Sequence, residues 1–296
     1  MLVNSTNLDA LRVGFSGQFQ AGLSQATSLH TRVATRLQTS QKEQKYGWLG
    51  KIPNVREWIG ERIVQNLMQH DYAIKEKALE LTLGVDKDDI ETDNLGIYGP
   101  LFQAMGQSTG ATADQLTFGL LGNGFATECY DGQFFFDTDH PVLDKDGNKI
   151  SVANTDGGSG TPWFLLDVSR PIRPLILQVR KDFEFVSMTR TDDDHVFKNK
   201  EFLYGADARM NVGFGFWQMA WGSKQTLSAA NYAIARAALM GMKGDYGRPL
   251  GMMPRLLVVP PALESAALKI VNNELGANGE TNEWKGTAEV LVCPWL

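Results

Sequence analysis

The side chains best suited to nucleophilic or metal chemistry in this chain are four histidines and two cysteines. None of the histidines has a second ligand at the spacing typical of a metal site, and the sequence contains neither an HExxH nor a CxxC motif. The sequence therefore predicts no metal site and no cofactor. The residues in question are His30, His70, His140, His195, Cys129 and Cys293.

Cys129 and His140 could form a thiol–imidazole dyad, which would imply a hydrolase. Their separation along the chain puts them on neighbouring strands at best, and a buried cysteine usually acts as a small hydrophobic residue. The sequence also lacks a GxxxxGKS/T phosphate loop and a GxSxG nucleophile elbow. We therefore expect no catalytic residue and no enzymatic activity, with the Cys129–His140 hydrolase kept as an alternative.

Two acidic stretches could bind a cation. Asp144, Asp146 and Asn148 match the start of a calcium-binding loop, but a lysine occupies the position that needs glycine and a threonine the position that needs glutamate. Residues 192–195 read Asp-Asp-Asp-His, which could chelate a metal but is also typical of a charged loop tip. We expect neither stretch to hold an ion.

The composition is that of an ordinary globular protein, with 43% hydrophobic and 21% charged residues over 296 positions. The net charge of -6 argues against a general affinity for nucleic acid. Residues 1–45 nevertheless carry five basic side chains against two acidic ones. That excess suits contact with an acidic partner, and a solvated helix face is the alternative.

Two cysteines exclude a disulfide framework and fit a reducing compartment. The N-terminus has no charged region followed by an apolar one, so no secretory signal is visible. No apolar run approaches the length of a membrane span. We therefore expect a soluble protein, cytoplasmic when made, with no membrane partner.

The elements that would position functional residues begin with a helical arm over residues 4–40, capped by Asn7 or Thr6. Its glycines weaken it as an isolated helix, so its thin apolar stripe needs a partner surface. That surface could belong to a neighbouring subunit or to the chain's own body. The stripe consists of Leu8, Leu11, Phe15, Phe19 and Leu23.

A charged ribbon follows the arm. Residues 79–85 alternate apolar and polar side chains, which predicts a strand with one buried face, and residues 54–69 interleave charged and apolar side chains. A lone two-stranded ribbon is marginally stable in water, so this one must rest on other structure. A neighbouring copy of the chain and the chain's own domain both remain possible supports.

The remaining segments mix helices and strands without regular βαβ alternation, which indicates the α+β class. Residues 95–122 are predicted to be helical, with a break at 108–110. Asp146-Gly147 predicts a hairpin turn, and Ser228 predicts the cap of a helix through residue 242. Short strands are expected at 256–259 and 290–292, with a helix following Pro261.

Three groups of segments together resemble the major head subunit of Mu-like phages and prophages, the gpT family. The first comprises Arg56–Arg62, Tyr72–Ile74, Leu79–Thr82 and Asp89–Tyr98; the second is Phe136–Pro141; the third is Leu203–Arg209 with Gly213, Gly215 and Trp217. The resemblance covers nearly the whole chain and implies the capsid fold of phage Hong Kong 97. It implies an N-terminal arm over 1–45, an extended E-loop over 46–93, a spine helix and peripheral domain with connecting strands over 94–227, and a mainly axial domain over 228–296.

The resemblance also implies a function. Such a protein is a major capsid protein that assembles as hexamers and pentamers into an icosahedral shell around double-stranded DNA, contacted non-specifically. Portal and scaffolding proteins, and decoration proteins, would be its other partners. It would reside in the virion capsid after synthesis in the bacterial cytoplasm. Alternatives are a subunit of an encapsulin-like compartment, the hydrolase named above, and a phage tail or baseplate protein.

Two sets of residues are the candidate assembly interfaces under this interpretation. The E-loop set is Arg56, Glu57, Trp58, Ile59, Glu61 and Arg62. The arm set is Leu8, Leu11, Phe15, Phe19, Arg32 and Arg36, with the two arginines expected near an acidic surface or the DNA side.

Overall fold

A computed structural model describes residues 3–49, 72–92, 96–276 and 279–296. Within these ranges the helices are α1 (Ser5–Gln25), α2 (Lys87–Glu91), α3 (Tyr98–Gly122), α4 (Asp194–Asn199), α5 (Ala229–Met240) and α6 (Glu264–Val271). The strands are β1 (Ala34–Gln38), β2 (Glu43–Lys45), β3 (Ala73–Lys75), β4 (Lys77–Asp86), β5 (His140–Leu143), β6 (Lys149–Val152), β7 (Thr155–Gly158), β8 (Trp163–Leu166), β9 (Leu175–Met188), β10 (Glu201–Phe214), β11 (Ala220–Lys224), β12 (Lys243–Gly244), β13 (Arg248–Pro249), β14 (Leu256–Val259) and β15 (Glu289–Val292).

Two mixed sheets organise most of these strands. One has four strands in the order β1-β9-β10-β4, and the long strands β9 and β10 form its antiparallel centre. The other has five strands in the order β15-β14-β8-β11-β7. The remaining strands form the ribbons β2-β3, β5-β6 and β12-β13. Helices combined with mixed sheets confirm the predicted α+β class.

The core has two parts. The larger surrounds the five-stranded sheet and includes the first half of β9, where residues 175–179 are all buried. The smaller lies between α1, α3 and the far half of the four-stranded sheet. In that half, β9 alternates between partly buried and exposed residues from position 181 onward, so one face of the sheet packs on the helices and the other stays open.

Helix α1 packs along α3 at a distance that requires glycine. A Cβ added at Gly106 would lie 2.1 Å from the carbonyl oxygen of Phe19, and one at Gly22 would lie 1.9 Å from that of Gln103. No side chain fits into separations this short. The glycines that weaken each helix in isolation therefore allow the two backbones to touch.

The arm differs from the predicted helix over residues 4–40. Helix α1 ends at Gln25, and residues 34–38 instead form β1, which pairs in parallel with β9. This pairing supplies backbone hydrogen bonds that the local sequence does not predict.

The N-cap of α1 is Asn4, whose Oδ1 accepts a hydrogen bond from the backbone N–H of Asn7 at 2.8 Å. The prediction of Asn7 or Thr6 as the cap was therefore wrong.

Helix α3 is continuous, so the predicted break at residues 108–110 was also wrong. The hydroxyl of Thr109 donates to the carbonyl oxygen of Gly106 at 2.8 Å, within the helix itself. Gly110 lies where a Cβ would approach the Cβ of Ala26 to 2.3 Å. Residues typical of a helix break therefore serve the contact between α3 and the arm.

Most other predicted elements are present. β4 includes the predicted strand over 79–85, although its partner is β10 rather than a second strand of a free ribbon. Gly147 adopts φ 85° in the turn between β5 and β6. The hydroxyl of Ser228 accepts from the backbone N–H of Asn231 at 3.2 Å and caps α5. β14, α6 and β15 lie where they were predicted.

We predict that Gly106→Ala lowers the free energy of unfolding by about 1–3 kcal/mol, because the new methyl group would overlap the backbone of α1. Gly119→Ala in the same helix is the matched control, since a Cβ there meets no atom within 4 Å. That change should raise stability by up to about 1 kcal/mol through helix propensity. Urea unfolding of both variants checks this, and equal stability would contradict the contact.

Candidate assembly surfaces

The apolar stripe of the arm is already covered within the subunit. Leu8, Phe15 and Phe19 are buried, and Leu11 packs at the edge of the same cluster. The ring centroid of Phe15 lies 4.3 Å from that of Phe102 on α3, in a stacked arrangement. This is the arrangement in which the arm packs on its own body, so any contact with another subunit must use other residues of α1 or a different conformation.

A buried carboxylate fixes the chain just after α1. Asp114 on α3 is 1% exposed and accepts hydrogen bonds from the backbone N–H groups of Leu29 and His30, at 3.0 and 2.7 Å. The Nδ1 atom of His30 lies 2.6 Å from the same carboxylate. Three partners satisfy the hydrogen-bonding capacity of the Asp114 carboxylate, so residues 29–30 are held against the middle of α3.

The two arm arginines pair with acidic residues of the same chain. Arg36 contacts both carboxylate oxygens of Asp182, at 2.8 and 2.6 Å, and both side chains are more than half exposed. Arg32 pairs with Glu289, which is also largely exposed. An exposed pair contributes only about 0–1 kcal/mol, so Arg36 can exchange partners at little cost.

The ribbon β2-β3 lies on either side of residues 50–71 along the chain and is anchored to the sheet. The hydroxyl of Tyr46 donates to Oε1 of Gln178 at 2.8 Å, and the backbone N–H of Phe214 donates to the hydroxyl of Tyr72 at 2.7 Å. Burial raises the pKa of both tyrosines to about 12, so both remain neutral hydrogen-bonding groups.

An ion pair adds to this anchor. The guanidinium of Arg180 contacts both carboxylate oxygens of Glu76, and this hydrogen bonding holds the pKa of Glu76 below its usual value. The predicted E-loop contact residues fall between the anchored ends and lie outside the described residues. They are Arg56, Glu57, Trp58, Ile59, Glu61 and Arg62.

Three exposed apolar side chains lie near the end of the four-stranded sheet, where β9 leads through α4 into β10. Phe197 is 81% exposed, and Val186 and Met188 are nearly half exposed on the open face of β9. We call these three residues the tip patch. It was not predicted because residues 192–195 indicated a polar loop tip. The pair Val196-Phe197 directly after that stretch was the signal available.

The structure corrects the prediction that Cys129 and His140 lie on neighbouring strands at best. Both contact Asp131, which the sequence analysis did not consider. The thiol of Cys129 donates to one carboxylate oxygen at 3.1 Å, and Nδ1 of His140 lies 2.8 Å from the other. A bridge between Glu128 and Phe134 closes the loop that carries Cys129 and Asp131, and His140 lies at the start of β5.

This arrangement does not activate the thiol as a nucleophile. The carboxylate lies between the thiol and the imidazole, whereas a catalytic dyad needs them in direct contact. Burial, together with the charge of Asp131, raises the pKa of Cys129 well above its usual value. Burial opposes ionisation of Asp131, but hydrogen bonds from His140 and Cys129 outweigh it and hold the pKa of that carboxyl below its usual value.

In the other two candidate cation sites, acidic side chains already have partners within the same stretch of chain. The carboxylate of Asp144 accepts from the backbone N–H groups of Asp146 and Asn148, both at 2.8 Å, which lowers the pKa of Asp144 and closes the hairpin turn. Asp194 pairs with Lys198 at 2.7 Å within α4. Both stretches therefore have local structural roles in the turn and the short helix.

Among the described residues, the helices are too short or too polar to span a membrane.

The profile of the Mu-like prophage major head subunit gpT family matches residues 8–296. The chain is 43% identical to the major capsid protein of Escherichia phage Mu over the full length of both sequences. It is also 43% identical to the Mu-like prophage FluMu major head subunit of Haemophilus influenzae, covering 90% of this chain and 89% of that one.

Solved structures agree with these relatives. A chain of the procapsid of bacteriophage JBD30 superposes with a TM-score of 0.88 at 44% identity, covering 99% of this chain and all of that one. A chain of the JBD30 capsid superposes with a TM-score of 0.78 at 32% identity, covering 100% and 99%. The capsid fold expected from the sequence is therefore confirmed, and with it the absence of an enzymatic role. The chain belongs to the family of Mu-like prophage major head subunits and is a major capsid protein of the phage virion.

Proposed function

We propose that this capsid protein assembles as hexamers and pentamers into a closed icosahedral shell that encloses double-stranded DNA. The match to major head subunits over residues 8–296 carries this proposal. Ring-closing contacts between copies of one chain generate such capsomers. The acidic net charge of the subunit limits adhesion to DNA during packaging.

The assembly contacts we propose involve segments at the edges of the subunit. The E-loop set lies over an adjacent subunit, and the anchored ends at Tyr46 and Tyr72 support this by fixing its base on the sheet. We keep 1–45 as the arm, 46–93 as the E-loop, 94–227 as spine helix and peripheral domain, and 228–296 as mainly axial. The arm's apolar stripe is buried within its own subunit. The exposed residues of the arm and its two arginines are therefore the ones we propose to contact a neighbouring subunit.

Other partners follow from the same role. Portal and scaffolding proteins act during assembly in the host cytoplasm, where the chain is made. Decoration proteins are further candidates, since the JBD30 capsid is decorated with minor capsid protein trimers. An encapsulin-like compartment is the alternative function, and the family match supports the phage head instead.

The contents of shells made in phage-producing cells distinguish these two functions. We expect negative-stain images to show closed shells, and nuclease-treated particles to yield protected double-stranded DNA. Empty particles made from the protein alone are the control for non-specific DNA binding. Particles that carry a protein cargo and no protected DNA, or tubes in place of shells, would overturn the proposal.

We predict that Phe197→Asp blocks shell closure without unfolding the subunit. Phe197 is 81% exposed in the subunit, so its loss removes little from the core, whereas burial against a neighbour would contribute roughly 1.5–3 kcal/mol per copy. Phe197→Leu keeps an apolar surface and is the matched control that should still assemble. Particle yield by sedimentation, with circular dichroism of the subunit, checks this, and normal shells from Phe197→Asp would rule out the tip patch as an interface.

A further inference from the structure

Three potential metal ligands meet in the loop between α3 and β5. The Sγ atom of Cys129, a carboxylate oxygen of Asp131 and a ring nitrogen of His140 all lie within 4.8 Å of one another. Cys129 and His140 are 5% and 0% exposed, and the side chain of Asp131 is 7% exposed. Among the described residues, these three are the His, Cys, Asp or Glu side chains that lie close enough together to bind one ion.

The ring of His140 is held in one orientation by its surroundings. It stacks on the indole of Trp217 with ring centroids 3.9 Å apart and planes 8° apart. Its Nε2 atom lies 3.3 Å from Oδ1 of Asn154. Its Nδ1 atom is thereby turned toward Asp131 and Cys129.

The amide of Asn154 fixes which ring nitrogen carries a proton. Its Nδ2 donates to the carbonyl oxygens of Phe135 and Trp217, at 2.7 and 3.3 Å, and its Oδ1 accepts from the backbone N–H of Asp137 at 2.9 Å. The amide oxygen must therefore face His140, and Nε2 must be the donor to it. This is the outer contact that metal-binding histidines usually make through the nitrogen that does not bind the ion.

With Nε2–H fixed, Nδ1 faces the carboxylate of Asp131, an arrangement that needs a proton or a cation between the two atoms. In the ion-free form one proton lies between the imidazole and the carboxylate, and the thiol of Cys129 donates to the other carboxylate oxygen. A divalent ion would displace both of these protons to solvent. It would leave a thiolate, a carboxylate and a neutral imidazole around two positive charges, so the buried site is neutral in both forms.

We propose that Cys129, Asp131 and His140 bind one divalent transition-metal ion of the zinc class. The mixture of sulfur, nitrogen and oxygen donors suits Zn²⁺ or Co²⁺ and does not suit Mg²⁺ or Ca²⁺, which prefer oxygen ligands alone. The ion ties the loop after α3 to the start of β5, and through Asn154 and Trp217 to the five-stranded sheet. Its role is to hold these segments together in the capsid subunit.

Titration of the full-length, metal-stripped protein with Co²⁺ tests this site. Binding of one ion per chain should produce a sulfur-to-cobalt charge-transfer absorption band, which carboxylates and imidazoles on the surface cannot give. Cys129→Ser should abolish that band. Cys293→Ser is the matched control, because Cys293 is equally buried but belongs to no such group among the described residues, and its loss should leave the band unchanged.

Elemental analysis gives a second, independent readout. Wild-type protein purified without chelator should contain about one zinc-class ion per chain, and Asp131→Asn should lose it. A wild-type protein that neither retains such an ion nor gives the sulfur–cobalt band would overturn the proposal, whatever the variants do. So would a band that persists at full strength in Cys129→Ser.

Discussion

The contact between the backbones of α1 and α3 is the constraint on which the rest of this subunit depends. Gly22 and Gly106 allow that contact, and the approach carries Phe15 onto aromatic side chains of α3 and β10, and Phe19 onto Phe185 of β9. Without α1, one face of the smaller core would be open to solvent. The carboxylate of Asp114 on α3 accepts hydrogen bonds from Leu29 and His30 and so determines where the chain turns toward β1. A thin stripe thus suffices to bury the arm, because the helices touch.

This internal arrangement separates the residues that hold the subunit together from those left to meet neighbours. The arm's aromatic side chains belong to the first group, and we propose the exposed tip patch for the second. Tyr46 and Tyr72 connect the two groups, since they hold the chain on either side of residues 50–71 on a sheet that the core already stabilises. We therefore expect assembly to change the edges of the subunit while its two cores stay intact.

Local pattern predicted the elements that local chemistry determines. The alternation in β4, the Asp146-Gly147 turn and the Ser228 cap were all read correctly, because each depends on neighbouring residues. Contacts distant in sequence were not predictable in this way. Gly106 is locally a weak helix residue, and only the approach of α1 explains it.

The same limit applies to the candidate sites. Asp131 gains its role only when the loop brings Cys129 and His140 to it, and spacing along the chain does not show this. The family and the capsid function came from sets of residues that are distinctive together, including the segment 136–141 in which His140 lies. The E-loop contact residues remain predictions, since they fall outside the described residues.

Hydrogen exchange, compared between free subunits and closed shells, tests the central claim most directly. We expect α1 to be protected already in the free subunit, because its apolar face is buried against its own α3. Residues 54–71 should gain strong protection only when shells close, because we propose that their stabilising contacts come from a neighbour. An unprotected α1 in the free subunit, or equal protection of residues 54–71 in both states, would contradict the account.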